Sequence, residues 1–396
     1  MCNQFAMSRS KALDLIRAHQ RYRSTTLNMI PSENLQSPNV LKALATDLAG
    51  RYSYRPRYYA GTRYIDEIWE YAEDLAKKLF KADYVCLEPL SGHIAALLTY
   101  VAFAKRGKLA VLAPDCGGYM GNAPDKLPDV ISAEVIYLPS IREALLPDPE
   151  RSVEVIRAER PDLVVLGGSY MLFPHPVKEL AEAVHEYGGL LAYDGSHVLG
   201  LIAGGVFQDP LREGADILFA STHKTFPGPQ GGMILTNSEE LYRKLFENIF
   251  HKIADNIHFN KIAALAVCFE EMARYGRRYA EKILENAYEL ARSLDSLGVP
   301  VKAKEYGFTK SHQTILDFSD REARVAMRDR LEECGIISDA DLRLGVPEVT
   351  RRGMGKREMA KIAKLVKRAL DENEDPREIR RDVRELVRKF RRIRFC

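Results

Sequence analysis

Several things this sequence lacks narrow its reading at once. Its six cysteines, Cys2, Cys86, Cys116, Cys268, Cys334 and Cys396, are scattered without a CxxC pair or a zinc-like Cys/His spacing. That excludes a disulfide framework or a zinc module and points to a reducing, cytoplasmic setting. No apolar run is long enough to span a bilayer, and the opening MCNQFAMSRSKALDLIRAHQ mixes charged with apolar residues where a signal peptide would be unbroken. It reads as an amphipathic first helix. Charge of one sign is scarce too: 58 Lys and Arg against 55 Asp and Glu leave +3, too little at this length to mark a nucleic-acid or membrane binder. There is no repeat, no low-complexity tract, no GxxxxGKS/T loop and no strand-linked GxGxxG, and GGSYM lacks the second glycine of a nucleophile elbow. The nine histidines show no metal-ligand spacing.

What is present is an ordinary globular balance, 46% apolar and 29% charged over 396 residues, with room for two domains. From about Ile68 to Thr236, helix-period segments such as IWEYAEDLAKKLF and VKELAEAVHEYG alternate with the short apolar runs LAVLAP, DLVVLGG, LLAYDGS, ILFAST and GMILTN. Continuous apolar strands between helices predict an α/β domain with a mostly parallel sheet covered on both faces. Beyond about Leu241 long helical patterns take over, joined by a strand-like HQTILDF, which predicts a smaller C-terminal α+β domain. The expected division is an N-terminal helical arm over 1–50, a large domain over 51–270 and a small domain over 271–396. Near the end, Ile379, Val383, Leu386, Val387, Phe390 and Ile393 recur at helical spacing with arginines elsewhere. This reads as a docked helix with a solvated basic face, with RNA or an acidic surface as the alternative employment of that face.

Ligands of open α/β sheets bind at the carboxyl ends of the strands. There the sequence places Asp194, Gly195, Ser196 and His197 after LLAY, and Thr222, His223 and Lys224 after ILFA. Ser169 follows VVLGG, and Asp115, Gly117, Gly118 and Tyr119 follow LAVLAP. Alone, Lys224 could be a solvated charge and Asp194 a turn cap. Together at neighbouring strand ends they meet the needs of pyridoxal phosphate, a lysine amine to hold it and a carboxylate to keep its ring nitrogen protonated. Ser91 and Gly92 open the apolar helix of PLSGHIAALLTYVAFA, whose N-terminus suits a phosphate as well as a plain N-cap.

MIPSEN, YRPRYYAGTRYIDEIWE, EPLSGHIAAL, YDGSHVLGLIAGG, STHKTFPGPQGG and RLGVPEVTRRGM follow one another along the chain. In these motifs and their order the chain resembles the serine hydroxymethyltransferases, fold-type I pyridoxal phosphate enzymes, over nearly its whole length. The resemblance implies that Lys224 is the Schiff-base lysine, with Thr222 and His223 beside it, and that Asp194 partners the pyridine nitrogen. It implies that Ser91 and Gly92 hold the phosphate, that Ser169 contacts the phenolate oxygen, and that His197 lies along the same edge. Arg343 would bind the substrate carboxylate, and Ser32 and Tyr59 would complete the amino-acid pocket, Tyr59 coming from a second subunit. Gly231 and Gly232 resemble backbone that reaches a neighbouring subunit's phosphate, so a homodimer or larger assembly is implied.

The chain also departs from that family. RYSYRPRYYAGT is three residues shorter than the family's segment and lacks its glutamate, the acid/base group that contacts folate, with Arg55 or Glu33 as candidates to compensate. Tyr119 stands where a histidine stacks on the cofactor, and Gln230 replaces an arginine. GIISDADLRLG runs directly to Arg343 without the long loop that helps to form the folate site. The expected activity is therefore cleavage or transfer at the Cα–Cβ bond of a serine-type β-hydroxy amino acid, giving glycine, with tetrahydrofolate or a modified pterin as acceptor. The alternatives are a folate-independent threonine-type aldolase and a catalytically idle relative that binds RNA or a protein. Neither a membrane nor nucleic acid is expected as partner of the enzyme.

Overall fold

The computed structural model describes residues 10–396; Cys2 and the start of the expected arm lie outside the described residues. Seven strands form the central sheet: β1 (Tyr84–Cys86), β2 (Lys108–Val111), β3 (Glu134–Tyr137), β4 (Leu163–Gly167), β5 (Leu190–Asp194), β6 (Ile217–Ser221) and β7 (Gly232–Thr236). Their order is β1-β7-β6-β5-β4-β2-β3, and only β7 runs against its neighbours. Every residue of β4, β6 and β7 is buried, as expected for strands covered on both faces. This is the α/β architecture with a mostly parallel sheet that the alternating pattern pointed to.

Ile65, Trp69, Ala72, Ala76 and Phe80 recur at helical spacing and turn one face of the Arg63–Phe80 helix inward. It packs on the helix Phe259–Ser296, 38 residues long, which also carries the Lys356–Ala369 helix. Residue 270, the expected boundary between large and small domains, falls inside this unbroken helix. In the C-terminal part, Gln313–Ile315 pairs antiparallel with Arg343–Gly345. The final helix, Pro376–Arg388, docks through Ile379, Val383, Leu386 and Val387, with its arginines outward.

The helix Lys11–Arg23 buries none of its residues. From Leu27 onward the expected N-terminal arm is instead woven into the C-terminal part. Leu27–Asn28 pairs parallel with Ile336–Ile337, and Leu27, Met29 and Val40 are buried. Gly345 donates its N–H to the Met29 carbonyl at 2.6 Å, and a Cβ there would overlap Pro31. The MIPSEN turn can therefore lie flat on the strand that begins with Arg343.

Candidate active site

Three neighbouring strands end at one cleft. Gly167, closing β4, lies opposite Asp194, closing β5, and Asp194 lies opposite Phe219 of β6. The loop after β6 is held from several sides. Thr222 N donates to the Gly231 carbonyl at 3.1 Å and Thr222 Oγ1 to the Pro229 carbonyl at 2.7 Å. Thr225 Oγ1 donates to the His197 carbonyl at 2.8 Å and accepts from Gly200 N at 3.0 Å. Asn34 Nδ2 reaches the Lys224 carbonyl at 2.7 Å and the Tyr279 hydroxyl at 2.8 Å. The backbone of Lys224 is thereby fixed, and its half-buried side chain forms the wall of a cavity of about 720 Å³ shared with Ser32, Asn34, His223 and Gln230.

Burial decides the electrostatics. It lowers the Lys224 amine, the nearby Asp194 carboxylate works against that shift, and Arg343 adds to it. Asp194 is buried and its carboxyl is raised by desolvation, opposed by Lys224 and by the Ser196 N–H donated at 2.9 Å. A lysine of depressed basicity is a better nucleophile at neutral pH. His223 is pushed down to about 4 by burial and then by Lys224, so it is neutral, and its buried Nδ1 has no partner. His197 is buried and held well below the ordinary imidazole range by desolvation, with Lys224, His312, Arg343 and His223 adding to the shift.

The helix Gly92–Phe103 begins at the same cleft. Ser91 Oγ caps it by accepting from Ile94 N at 3.2 Å, and a Cβ on Gly92 would overlap Ser221. Gly232 N donates to the Pro89 carbonyl at 2.8 Å, and a Cβ there would overlap the Ser91 carbonyl. Gly231 and Gly232 are both buried within their own chain. The Gly231 carbonyl and the Gly232 N–H are thus both bonded within the chain. Tyr119 is half-buried, feels the Asp194 charge, and its hydroxyl lies 2.9 Å from His93 Nδ1.

Arg343 is clamped rather than free. Its Nε donates to Asp339 Oδ2 at 2.8 Å and its Nη1 to the Ser169 carbonyl at 2.8 Å, while its guanidinium stacks 4.6 Å from the Tyr170 ring centre. Ser169 thus enters the site through its backbone carbonyl. Tyr59 is not gathered with Lys224: it is 41% exposed, beside Tyr58 at 80%, in a surface pocket with Tyr52, Tyr54 and Asp255. These exposures exclude a core role for either tyrosine. Arg55 also points away from the cavity, binding both oxygens of Glu73 through Nη1 at 3.0 and 2.9 Å and stacking on Trp69. Glu33 does line the cavity, paired with Arg23.

Sequence reading missed Asn34, Lys261, His312, Gln313 and Asp339. Lys261 is buried and donates to the carbonyls of Leu87, Glu88 and Pro89 at 2.6, 3.0 and 2.9 Å, stapling the segment that leads to Ser91. Asn34 and Asp339 stood inside segments already singled out, MIPSEN and GIISDADLRLG. Nothing local marked Lys261 or the His312–Gln313 pair, which reach the cleft only through folding.

A mostly parallel sheet with a half-buried lysine and a buried aspartate at adjacent strand ends, facing a capped helix N-terminus, defines a fold-type I α/β protein of the pyridoxal phosphate class. The chain belongs to the serine hydroxymethyltransferase family, whose description it matches over residues 6–366. It is 42% identical to the serine hydroxymethyltransferase of Pyrococcus abyssi, across 95% of this chain and 93% of that one. The corresponding figures for the Korarchaeum cryptofilum serine hydroxymethyltransferase are 39%, 96% and 94%. Among solved structures it superimposes on the L-threonine transaldolase of Pseudomonas fluorescens in its internal aldimine state, with a TM-score of 0.90 and 27% identity, covering 96% of this chain and 91% of that one.

Proposed function

We propose that this protein is a pyridoxal phosphate enzyme that breaks or transfers at the Cα–Cβ bond of a serine-type β-hydroxy amino acid and releases glycine, as a serine hydroxymethyltransferase does. The observation that carries the reading is the Lys224–Asp194 pair at adjacent strand ends, with Arg343 close enough to shift the lysine. Pyridoxal phosphate, when bound, supplies an electron sink for the bond that breaks. The residues present fit it: Gly92 lets the helix start pack against Ser221 at the end of β6, the capped helix offers N–H groups to a phosphate, and the buried carboxylate suits a protonated ring nitrogen.

In this reading Lys224 holds the cofactor and Asp194 keeps its ring nitrogen protonated. Arg343, fixed by Asp339 and the Ser169 carbonyl, presents its remaining Nη2 edge to the substrate carboxylate. Neutral His223 stands in the same cavity wall as Lys224 and is placed with it in the catalytic group. Ser32 contributes a hydroxyl to the amino-acid side of the cavity. Tyr59, exposed outside the cavity of its own Lys224, is taken to serve the site of a second copy of the chain. Free thiols at Cys86, Cys116, Cys268, Cys334 and Cys396 support a reducing, cytoplasmic compartment, and no helix of the described residues is long and apolar enough to cross a membrane.

A second reading, a pterin-independent aldolase of threonine-like substrates, is supported by the short path from Ile337 to Arg343 and by the Arg55–Glu73 pair where the family's glutamate segment would lie. Glycine release from L-serine and from L-threonine or its allo isomer, with and without tetrahydrofolate, separates the two. Serine cleavage only with the pterin supports the transferase; threonine cleavage without it, with serine turnover indifferent to it, supports the aldolase. Lys224→Ala should abolish the visible absorbance of the cofactor-loaded protein, and an unchanged spectrum would overturn the lysine's assignment. Arg343→Ala should weaken amino-acid binding far more than cofactor binding.

A further inference from the structure

Gln313 is fully buried on the strand opposite Arg343, and its two amide ends can be told apart by their partners. One end faces Met171 N at 3.2 Å; a backbone N–H only donates, so that end is the oxygen. The other lies 3.0 Å from the Ser169 carbonyl, which only accepts, so that end is the NH2 group. The same nitrogen lies 3.0 Å from His197 Nδ1. An amide nitrogen has no lone pair to offer, so a proton on Nδ1 would face this donor and have only His312 Nε2 to go to. The nearest other group, His312 Nε2, is 3.3 Å from His197 Nδ1 and 3.4 Å from Gln313 Nε2, with the two imidazole rings stacked at 21°. The amide contact with Nδ1, at 3.0 Å, is the shortest of the three and is the one in which the amide donates and Nδ1 accepts.

We infer that Gln313 is a positioning residue that holds His197 in the neutral form with its proton on Nε2, by donating its amide N–H to Nδ1. Which nitrogen of a histidine carries the proton is set by what the other one bonds, and that choice fixes whether the ring donates or accepts at its working end. His197 stays neutral because it is buried among Lys224, Arg343, His223 and His312. The Ser169 carbonyl accepts from Gln313 Nε2 and from Arg343 Nη1 alike, so one amide sets both the histidine tautomer and the seat of the arginine. On the reading that the cleft holds pyridoxal phosphate, His197 meets the cofactor as a hydrogen-bond donor.

The test is long-range proton–nitrogen correlation spectroscopy of histidine-labelled protein without cofactor, near pH 7.5, with His197 assigned by comparison with His197→Gln. The wild type is expected to show His197 protonated at Nε2 alone. Gln313→Leu, which fills the same volume without a donor, should lose that single form in favour of a mixture or of the Nδ1–H form. A wild-type His197 protonated at Nδ1, or doubly protonated, overturns the inference; so does a Gln313→Leu protein that folds and keeps the wild-type tautomer. Should Gln313→Leu not fold, the wild-type spectrum alone decides. Because neither cofactor nor substrate is present, a failure of the proposed reaction leaves this outcome untouched.

Discussion

Replacing Lys261 by methionine tests whether the segment before Ser91 is held by a buried ammonium. Methionine keeps the volume of the stem and removes all three donors to the Leu87, Glu88 and Pro89 carbonyls. Hydrogen bonds from a charged donor contribute about 1.5–3 kcal/mol each, a gross loss of roughly 4–9 kcal/mol. Against this stands the cost of burying the charge: burial pushes the amine down to about 8, with Glu88 opposing, from an ordinary 10.5. That shift corresponds to roughly 3 kcal/mol. Lys261→Met should therefore destabilise the fold by about 1–6 kcal/mol at pH 7. The sign with pH follows from the same shift. Between pH 8 and 10.5 the unfolded lysine binds a proton the folded one has lost, so the wild type gains stability as pH rises, by about 2.5 kcal/mol from pH 7 to 10. The variant lacks that group, and other titrations cancel in the difference between the two proteins. Urea unfolding of both at pH 7, 8.5 and 10 should show the gap widening by about that amount. A gap that does not change with pH would refute a charged, buried Lys261, and a gap near zero would refute its role as a staple.

Acid should act on the fold through its neutral histidines. Burial pushes His175 and His312 down to about 3 each, so the stability they contribute is full above the ordinary value near 6.5 and is lost as pH falls, by about 2 kcal/mol each between pH 7 and 5. Glu73, raised by burial to about 7 against the pull of Arg55, takes up a proton in the fold over the same range and returns about 2 kcal/mol. His223, down to about 4, and His197 add losses of the same sign, so urea midpoints should fall in the wild type and further in Glu73→Gln, by about 2 kcal/mol of stability; equal falls would contradict the raised carboxyl. Arg351 is fully buried, bonded to the Leu35 and Phe395 carbonyls and to Glu271 at 3.1, 2.9 and 3.1 Å. Arg351→Met strands a buried carboxylate and should cost about 3–5 kcal/mol, much of it recovered when Glu271→Leu is added. Additive losses in that cycle would show that the pair is not coupled.

The sequence by itself determined the architecture wherever a strand is covered on both faces. β2, β4, β5, β6 and β7 stand where continuous apolar runs announced them, because complete burial leaves no polar alternation to blur the signal. β1 has three residues and β3 is a partly exposed edge with Glu134 and Tyr137 outward, so neither carried enough apolar sequence to be read. Lys224, Asp194 and the Ser91–Gly92 helix start were legible because strand ends in an open sheet converge by topology alone. Only the tertiary structure decided what no local pattern encodes: that the segment from Leu27 onward pairs with Ile336–Ile337, that Arg343 is clamped by Asp339 and the Ser169 carbonyl, and that Lys261 and Gln313 reach the cleft from distant elements. Those contacts join residues far apart in the chain, and their energies come from burial and hydrogen bonding, which exist only once the chain has closed on itself.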